Sequence, residues 1–150
     1  MEDYEVKLLI INGPNLNLLG IREKSVYGTM SYTDICDFLH SEAKKLELEL
    51  EIVQSNIEGE IINILHNAMG KFDGIIINPG AYTHYSYAIH DAIKGTNIDT
   101  VEVHLSNVHA REEFRKKSVT APACIGQMCG FGESGYILAM KALELKQLPK

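Results

Sequence analysis

Five short apolar runs, each followed by a longer polar or amphipathic stretch, constrain this chain more than any other feature. They are KLLIIN (Lys7–Asn12), LELEIVQS (Leu48–Ser55), GIIIN (Gly74–Asn78), TVEVHL (Thr100–Leu105) and ACIGQMC (Ala123–Cys129). A nearly continuous apolar run such as the first is what a strand covered on both faces requires. The second alternates strictly, as a strand near a sheet edge does. Helical signals fill the gaps. Ser31 with Asp34 resembles a capping box and opens a helix to about Leu46. EGEIINILHNAMG puts Ile61, Ile62, Leu65, Ala68 and Met69 on one helical face, with Gly70 at the C-terminal cap. A short helix runs to about Lys94, where Gly95 suits its stop, and a last helix follows GFGESG through YILAMKALELKQ. Gly13 to about Thr29 reads as a long loop, and NVHAREEFRKKS as a polar loop with a short helix. Strands alternating with helices over 150 residues imply a single α/β domain, residues 1–150, with a parallel sheet and right-handed crossovers. The expected strand order is 2-1-3-4-5. In open sheets of this kind ligands bind beyond the carboxyl ends of the strands, so functional residues are expected after strands one, three and four.

Composition narrows the function. The chain has 14 basic and 20 acidic residues, a net charge of −6. That balance argues against nucleic acid, because binding phosphates needs a basic face. A small anionic substrate stays compatible, since local arginines can dominate one cleft. The start, MEDYEVK, lacks a basic segment followed by an apolar one, so no secretory signal is expected. No apolar run approaches the ~20 residues that span a bilayer, so no membrane partner is expected. Three cysteines, Cys36, Cys124 and Cys129, without CxxC spacing read as reduced thiols of a cytoplasmic protein. No metal is expected either: His104 and His109 are five apart, His84 and His90 six apart, and neither pair forms HExxH. GxxxxGK[ST] is absent, and GFGESG precedes the last helix, where its glycines read as packing residues.

What gathers at the strand ends is chemically specific. NGPNLNLLGIREKSVYG follows the first strand, NPGAYTH the third, and EVHLSN closes the fourth. Asn15, Arg22, Tyr27, Asn78, His84, Glu102, His104 and Ser106 therefore share one rim of the sheet. A free phenol, with pKa ~10, is a poor base at neutral pH. A guanidinium within ~4–6 Å favours the phenolate, so Arg22 can turn Tyr27 into a general base. Read alone, Tyr27 is rather a hydrogen-bonded loop tyrosine. Alternation puts Glu102 and His104 on the same face of their strand, where a carboxylate can fix the imidazole tautomer or favour its charged form. Read alone, this histidine is a general acid or a hydrogen-bonded residue at the core edge. The Leu105 and Ser106 amides, with the Ser106 hydroxyl, can form a small anion nest. Asn15 and Asn78 can bond hydroxyls or an enolate oxygen, although GPN and NPG are turn formers in any case. One arginine of REEFRKK can reach back toward the rim.

Taken in order, LLIINGPNLNLLGIRE…YG, QSN.EGE, INPGAYTH, VEVHLSNVHAREEFR and GFGESGY resemble the type II 3-dehydroquinate dehydratases, from about Lys7 to Leu143. The resemblance implies a flavodoxin-like three-layer sandwich and a homo-oligomer, a dodecamer. It implies trans-elimination of water from 3-dehydroquinate to 3-dehydroshikimate through an enolate, in the shikimate pathway, without metal, Schiff base or other cofactor. By the same resemblance Tyr27 is the base, Arg22 the essential loop arginine, His104 the general acid with Glu102 beside it, and Asn15 the residue that serves the enolate through a water. Substrate contacts fall on Asn78, His84, Leu105, Ser106 and Arg115, and Asp91 is presented to a neighbouring subunit's site. Four positions depart from the family pattern: Ile57 stands where histidine is common, His90 where arginine is frequent, and Tyr85 and Tyr87 are added. An imidazole at position 90 would make assembly respond to pH.

Overall fold

The computed structural model describes residues 5–21, 24–27 and 29–147; the side chains of Lys24 and Tyr27 lie outside the described set. Five strands form one parallel sheet in the order β2-β1-β3-β4-β5. They are β1 (Lys7–Asn12), β2 (Glu49–Gln54), β3 (Gly74–Asn78), β4 (Thr100–His104) and β5 (Gly126–Cys129). The helices are α1 (Lys24–Tyr27), α2 (Tyr32–Lys45), α3 (Glu58–Ala68), α4 (Tyr87–Thr96) and α5 (Ser134–Gln147). The architecture is the flavodoxin-like three-layer sandwich.

Burial follows position in the sheet. Every residue of β3 and β4 is buried, whereas the edge strands β2 and β5 alternate or stay half-open. Successive side chains leave a strand on opposite faces, so each central strand feeds two cores. Leu8, Ile10, Ile76, Val101 and Val103 pack against Leu39 of α2 and Tyr136, Met140 and Leu143 of α5. Leu9, Ile11, Ile75 and Ile77 pack against Ile61 and Leu65 of α3 and Ile89 and Ile93 of α4. Each such side chain contributes about 1.5–3 kcal/mol when fully removed from water.

The helix boundaries have local causes. The Ser31 hydroxyl accepts from the Asp34 amide at 3.1 Å and caps α2, as the sequence pattern predicts. Gly95 does not stop α4: the helix runs through it to Thr96, and Asn97 takes the left-handed C-cap at φ 55°. Asparagine tolerates that conformation better than most residues. On α3 the predicted face is one residue too long. Ile61, Leu65 and Ala68 are buried, but Met69 is 49% exposed because the helix has ended and the chain turns at Gly70, φ 79°. β5 starts at Gly126 rather than Ala123, since Ala121–Ala123 forms a 3-10 turn. The expected loop after β1 contains a 3-10 turn, Leu16–Leu18, and the four-residue α1. The polar stretch after β4 holds two 3-10 turns, Val108–Ala110 and Glu113–Lys116.

Candidate active site

Two proline turns build the floor of the rim. Gly13 donates its amide to the Asn78 carbonyl at 2.7 Å, so the turns after β1 and β3 lie directly against each other. A Cβ on Gly13 would sit 2.6 Å from the Pro79 carbonyl, and one on Gly80, at φ 59°, 3.0 Å from the Pro14 carbonyl oxygen. Only glycine fits both places, which explains GPN and NPG as an interlocked pair. Around them lies a small cleft of about 50 Å³, bordered by Asn15, Asn78, His104, Leu105, Ser106 and Arg111. Larger grooves of about 750 and 730 Å³ flank β2 and α2 or α3. They sit away from the carboxyl ends of β3 and β4 and contain none of the predicted site residues, so size does not decide here.

Glu102 and His104 leave β4 on the same face, as alternation requires. His104 Nε2 lies 3.0 Å from Glu102 Oε2. Glu102 is completely buried and His104 is 8% exposed. Four further groups converge on the carboxylate. Thr83, Ser118 and Gln127 donate to Oε2 at 3.1, 2.9 and 2.6 Å, and Thr120 donates to Oε1. Burial by itself pushes this carboxyl upward. The hydrogen bond and charge of His104, with the Thr120 and Gln127 bonds, overcome it and hold Glu102 below the usual carboxylate range. With Glu102 taking Nε2, the second ring nitrogen of His104 is left for another partner.

Asn78 is buried and braced. Its amide nitrogen donates to the Tyr136 hydroxyl at 3.1 Å, and its oxygen accepts from the Gly80 amide at 3.2 Å. Tyr136 donates in turn to Asn12 Oδ1 at 2.6 Å, and Asn12 donates to the Tyr32 hydroxyl at 3.3 Å. Asn15 has a left-handed backbone, φ 71°, fixed by its amide bond to Asn56 Oδ1 at 3.0 Å. The turn after β4 is tied to the loop after β5: the Gly130 and Gly132 amides donate to the His104 and Leu105 carbonyls at 3.2 and 2.9 Å. The glycines of GFGESG thus pin the segment that carries Leu105 and Ser106.

The structure does not bring every predicted residue to the cleft. Arg22 and the Tyr27 side chain lie outside the described residues. Arg115 ion-pairs with Glu112 at 2.7 Å and lies over the Phe114 ring, 4.7 Å from its centroid. His84 bonds through Nδ1 to the Lys117 carbonyl at 2.7 Å and meets Phe114 edge-on. Neither lines the cleft. Asp91 is exposed on α4, away from it. The arginine that reaches the rim is Arg111, whose Nη1 donates to the Ser106 hydroxyl at 3.2 Å. Arg111 is one of two arginines in REEFRKK with equal claim by spacing, and Thr83, Ser118, Thr120 and Gln127 carry no role assigned by sequence. Nothing in local spacing marks these four, because they reach Glu102 from three separate segments. Among the positions that depart from the family pattern, Ile57, Tyr85 and Tyr87 are exposed. His90 bonds through Nδ1 to the Val119 carbonyl at 2.8 Å. Among the described residues no group of three or more His, Cys, Asp or Glu could hold a metal ion, and no helix is long and apolar enough to cross a membrane. The three cysteines are unpaired.

The family model for class II dehydroquinase matches residues 6–144. The 3-dehydroquinate dehydratase of Clostridium beijerinckii is 70% identical over 146 residues, covering 97% of this chain and all of that protein. The crystal structure of the type II dehydroquinase from Butyrivibrio crossotus superposes with a TM-score of 0.92 at 51% identity, covering 93% of this chain and 98% of that one. That from Propionibacterium acnes superposes with a TM-score of 0.90 at 37% identity, covering 95% and 99%. With agreement in both sequence and fold over nearly its whole length, the chain belongs to the class II dehydroquinase family.

Proposed function

We infer that this chain, as one catalytic domain, removes water from 3-dehydroquinate to give 3-dehydroshikimate, a step of the shikimate pathway. Membership of the family supports the reaction. The observation that carries the mechanism is the buried Glu102–His104 pair, opening on the cleft at the carboxyl end of β4.

In this reading Tyr27, as a phenolate beside Arg22, takes a proton from the carbon next to the substrate ketone. The resulting enolate is hydrogen-bonded by Asn15 through a water. Protonated His104 then gives its proton to the leaving hydroxyl, and Glu102 stabilises the imidazolium. The amides of Leu105 and Ser106 with the Ser106 hydroxyl hold the substrate carboxylate. Arg111 supports that role by donating to the same hydroxyl. Asn78, His84 and Arg115 complete the substrate contacts when the loop carrying Arg22 and Tyr27 closes and excludes water. The exposed position of Asp91 on α4 suits presentation to a neighbouring subunit. We assign a dodecameric, cytoplasmic enzyme without metal or cofactor.

The test is turnover of 3-dehydroquinate with chelator present, followed by the absorbance of the new conjugated enone. Wild-type activity that collapses in Tyr27→Phe supports both reaction and base. Near-normal turnover by Tyr27→Phe overturns the assignment of the base, and a folded wild type without turnover overturns the reaction.

A further inference from the structure

Glu102 accepts more hydrogen bonds than stability of a single carboxylate needs. An ionised carboxylate has about four lone-pair sites, and five side chains address this one. The donors differ in kind. Thr83, Ser118 and Thr120 also lie within hydrogen-bond distance of one another, Thr83–Ser118 at 2.6 Å, Thr83–Thr120 at 2.9 Å and Ser118–Thr120 at 3.2 Å, and Ser118 accepts from the Ala121 amide at 2.9 Å. Their protons are therefore shared among several acceptors. Gln127 brings an amide across from β5 to Oε2, and Thr120 is the donor to Oε1, the oxygen that His104 does not use. We propose that Thr120 and Gln127 are positioning residues for the dehydration: they hold Glu102 ionised and turned toward His104, so that the proton of the pair resides on the imidazole.

The proposal rests on the reading of His104 as general acid. The pair carries one proton above its fully deprotonated state. That proton sits either on the imidazole, giving carboxylate and imidazolium, or on Glu102, giving two neutral groups. Donors to the carboxylate stabilise the ion pair and leave the neutral form unassisted. They also stabilise the deprotonated pair, in which Glu102 is again charged. Without them the proton moves toward Glu102, and the pair as a whole releases it at higher pH. A neutral imidazole is a weaker acid toward the leaving hydroxyl. The other ionisable groups nearby do not supply a substitute charge. Cys124, before β5, and Cys129, at its end, are thiols that burial and the Glu102 charge push upward. His90 of α4 is engaged by the Val119 carbonyl.

The test uses the intact assembly and the variants Thr120→Val, Gln127→Leu and both together, with Thr120→Ser restoring the hydroxyl. Three readouts are taken: kcat against KM, the pH profile of kcat, and the ¹⁵N spectrum of histidine-labelled protein. The expected result is a fall in kcat of about 10–100-fold, the scale of one hydrogen bond to a charged group, with KM within about twofold. The alkaline limb of the profile moves to higher pH, and the His104 nitrogens shift from imidazolium toward neutral imidazole. Thr120→Ser recovers the native profile. Gln127 lies exposed on the edge strand, so Gln127→Leu carries the test alone if Thr120→Val does not fold. Unmoved pH limbs and an intact imidazolium in folded variants overturn the proposal, as does an equal loss of kcat without either shift. Glu102→Gln and His104→Ala in the same assay separate the two readings. If they retain turnover, the pair is misassigned. If they collapse while the Thr120 and Gln127 variants behave as wild type, the pair stands and this proposal falls.

Discussion

The sheet carries two buried polar networks at its carboxyl end, one on each face; burial opposes ionisation in both, yet the outcomes are opposite. On the α2–α5 face Asn12, Asn78, Tyr32 and Tyr136 bond amide to phenol. On the α3–α4 face Glu102 and His104 are ringed by hydroxyls and one amide. In the first, burial dominates and no charge answers it: Tyr32 is pushed up to about 12, and Tyr136 further. These phenols stay neutral, so the network can only hold shape. In the second, burial also opposes ionisation, yet His104 and the donors win and the carboxylate is charged. Depth therefore does not separate a neutral network from a charged one. A partner that can carry the opposite charge, together with the donors aimed at the ionisable atom, does.

The largest expected effect breaks the charged network. His104→Ala and Glu102→Gln should each lower kcat by ~10²–10⁴-fold, the range of general acid–base catalysis, with the fold intact by circular dichroism. Comparable loss from breaking the neutral network would erase the distinction. Tyr136→Phe is that control. It removes the hydroxyl between Asn12 and Asn78 and leaves both buried amides short of a partner, so unfolding in urea should show a loss of about 1–3 kcal/mol. Activity should fall much less than in His104→Ala.

Acid sharpens the contrast. Because Glu102 is held below its unfolded value, the native state binds fewer protons than the unfolded state between the two values. The stability this contributes is complete above the ordinary glutamate pKa of ~4.3 and is lost as pH falls through the depressed native value. Urea midpoints across the carboxylate range should fall less steeply for Glu102→Gln than for wild type, and Tyr136→Phe should keep the wild-type slope. The smallest effect concerns Ser31, which caps the helix that brings Tyr32 to the neutral network. Ser31→Ala should cost about 1 kcal/mol, read as a lower urea midpoint, with the pH dependence of turnover unchanged.

Most of the scaffold is legible along the chain because its causes are local or periodic. Continuous apolar runs become β1 and β3, strict alternation becomes the edge strand β2, and Ser31 announces α2. The errors are also local. Gly95 offers a stop that α4 passes by, since Asn97 two residues later meets the same requirement. Met69 fits the helical period, but the helix ends before it. The pairing of Glu102 with His104 follows from a spacing of two on one strand.

The parts of the site that need distance in sequence were not legible. REEFR offers two arginines, and spacing does not say which one turns inward. Folding sends Arg111 to Ser106 and leaves Arg115 on Glu112 and Phe114. The donors to Glu102 come from residues 16 to 25 positions away, besides His104.

The layers, the strand order and the rim on which chemistry could occur follow from the pattern along the chain, because periodicity and chirality leave few alternatives. The same pattern places a carboxylate and an imidazole on one strand face. That this carboxylate is held ionised follows from packing alone. Ionisation at this buried site depends on His104 and on donors from separate segments that reach the same two oxygens. That geometry exists only once β4, β5 and the loops beside them have packed.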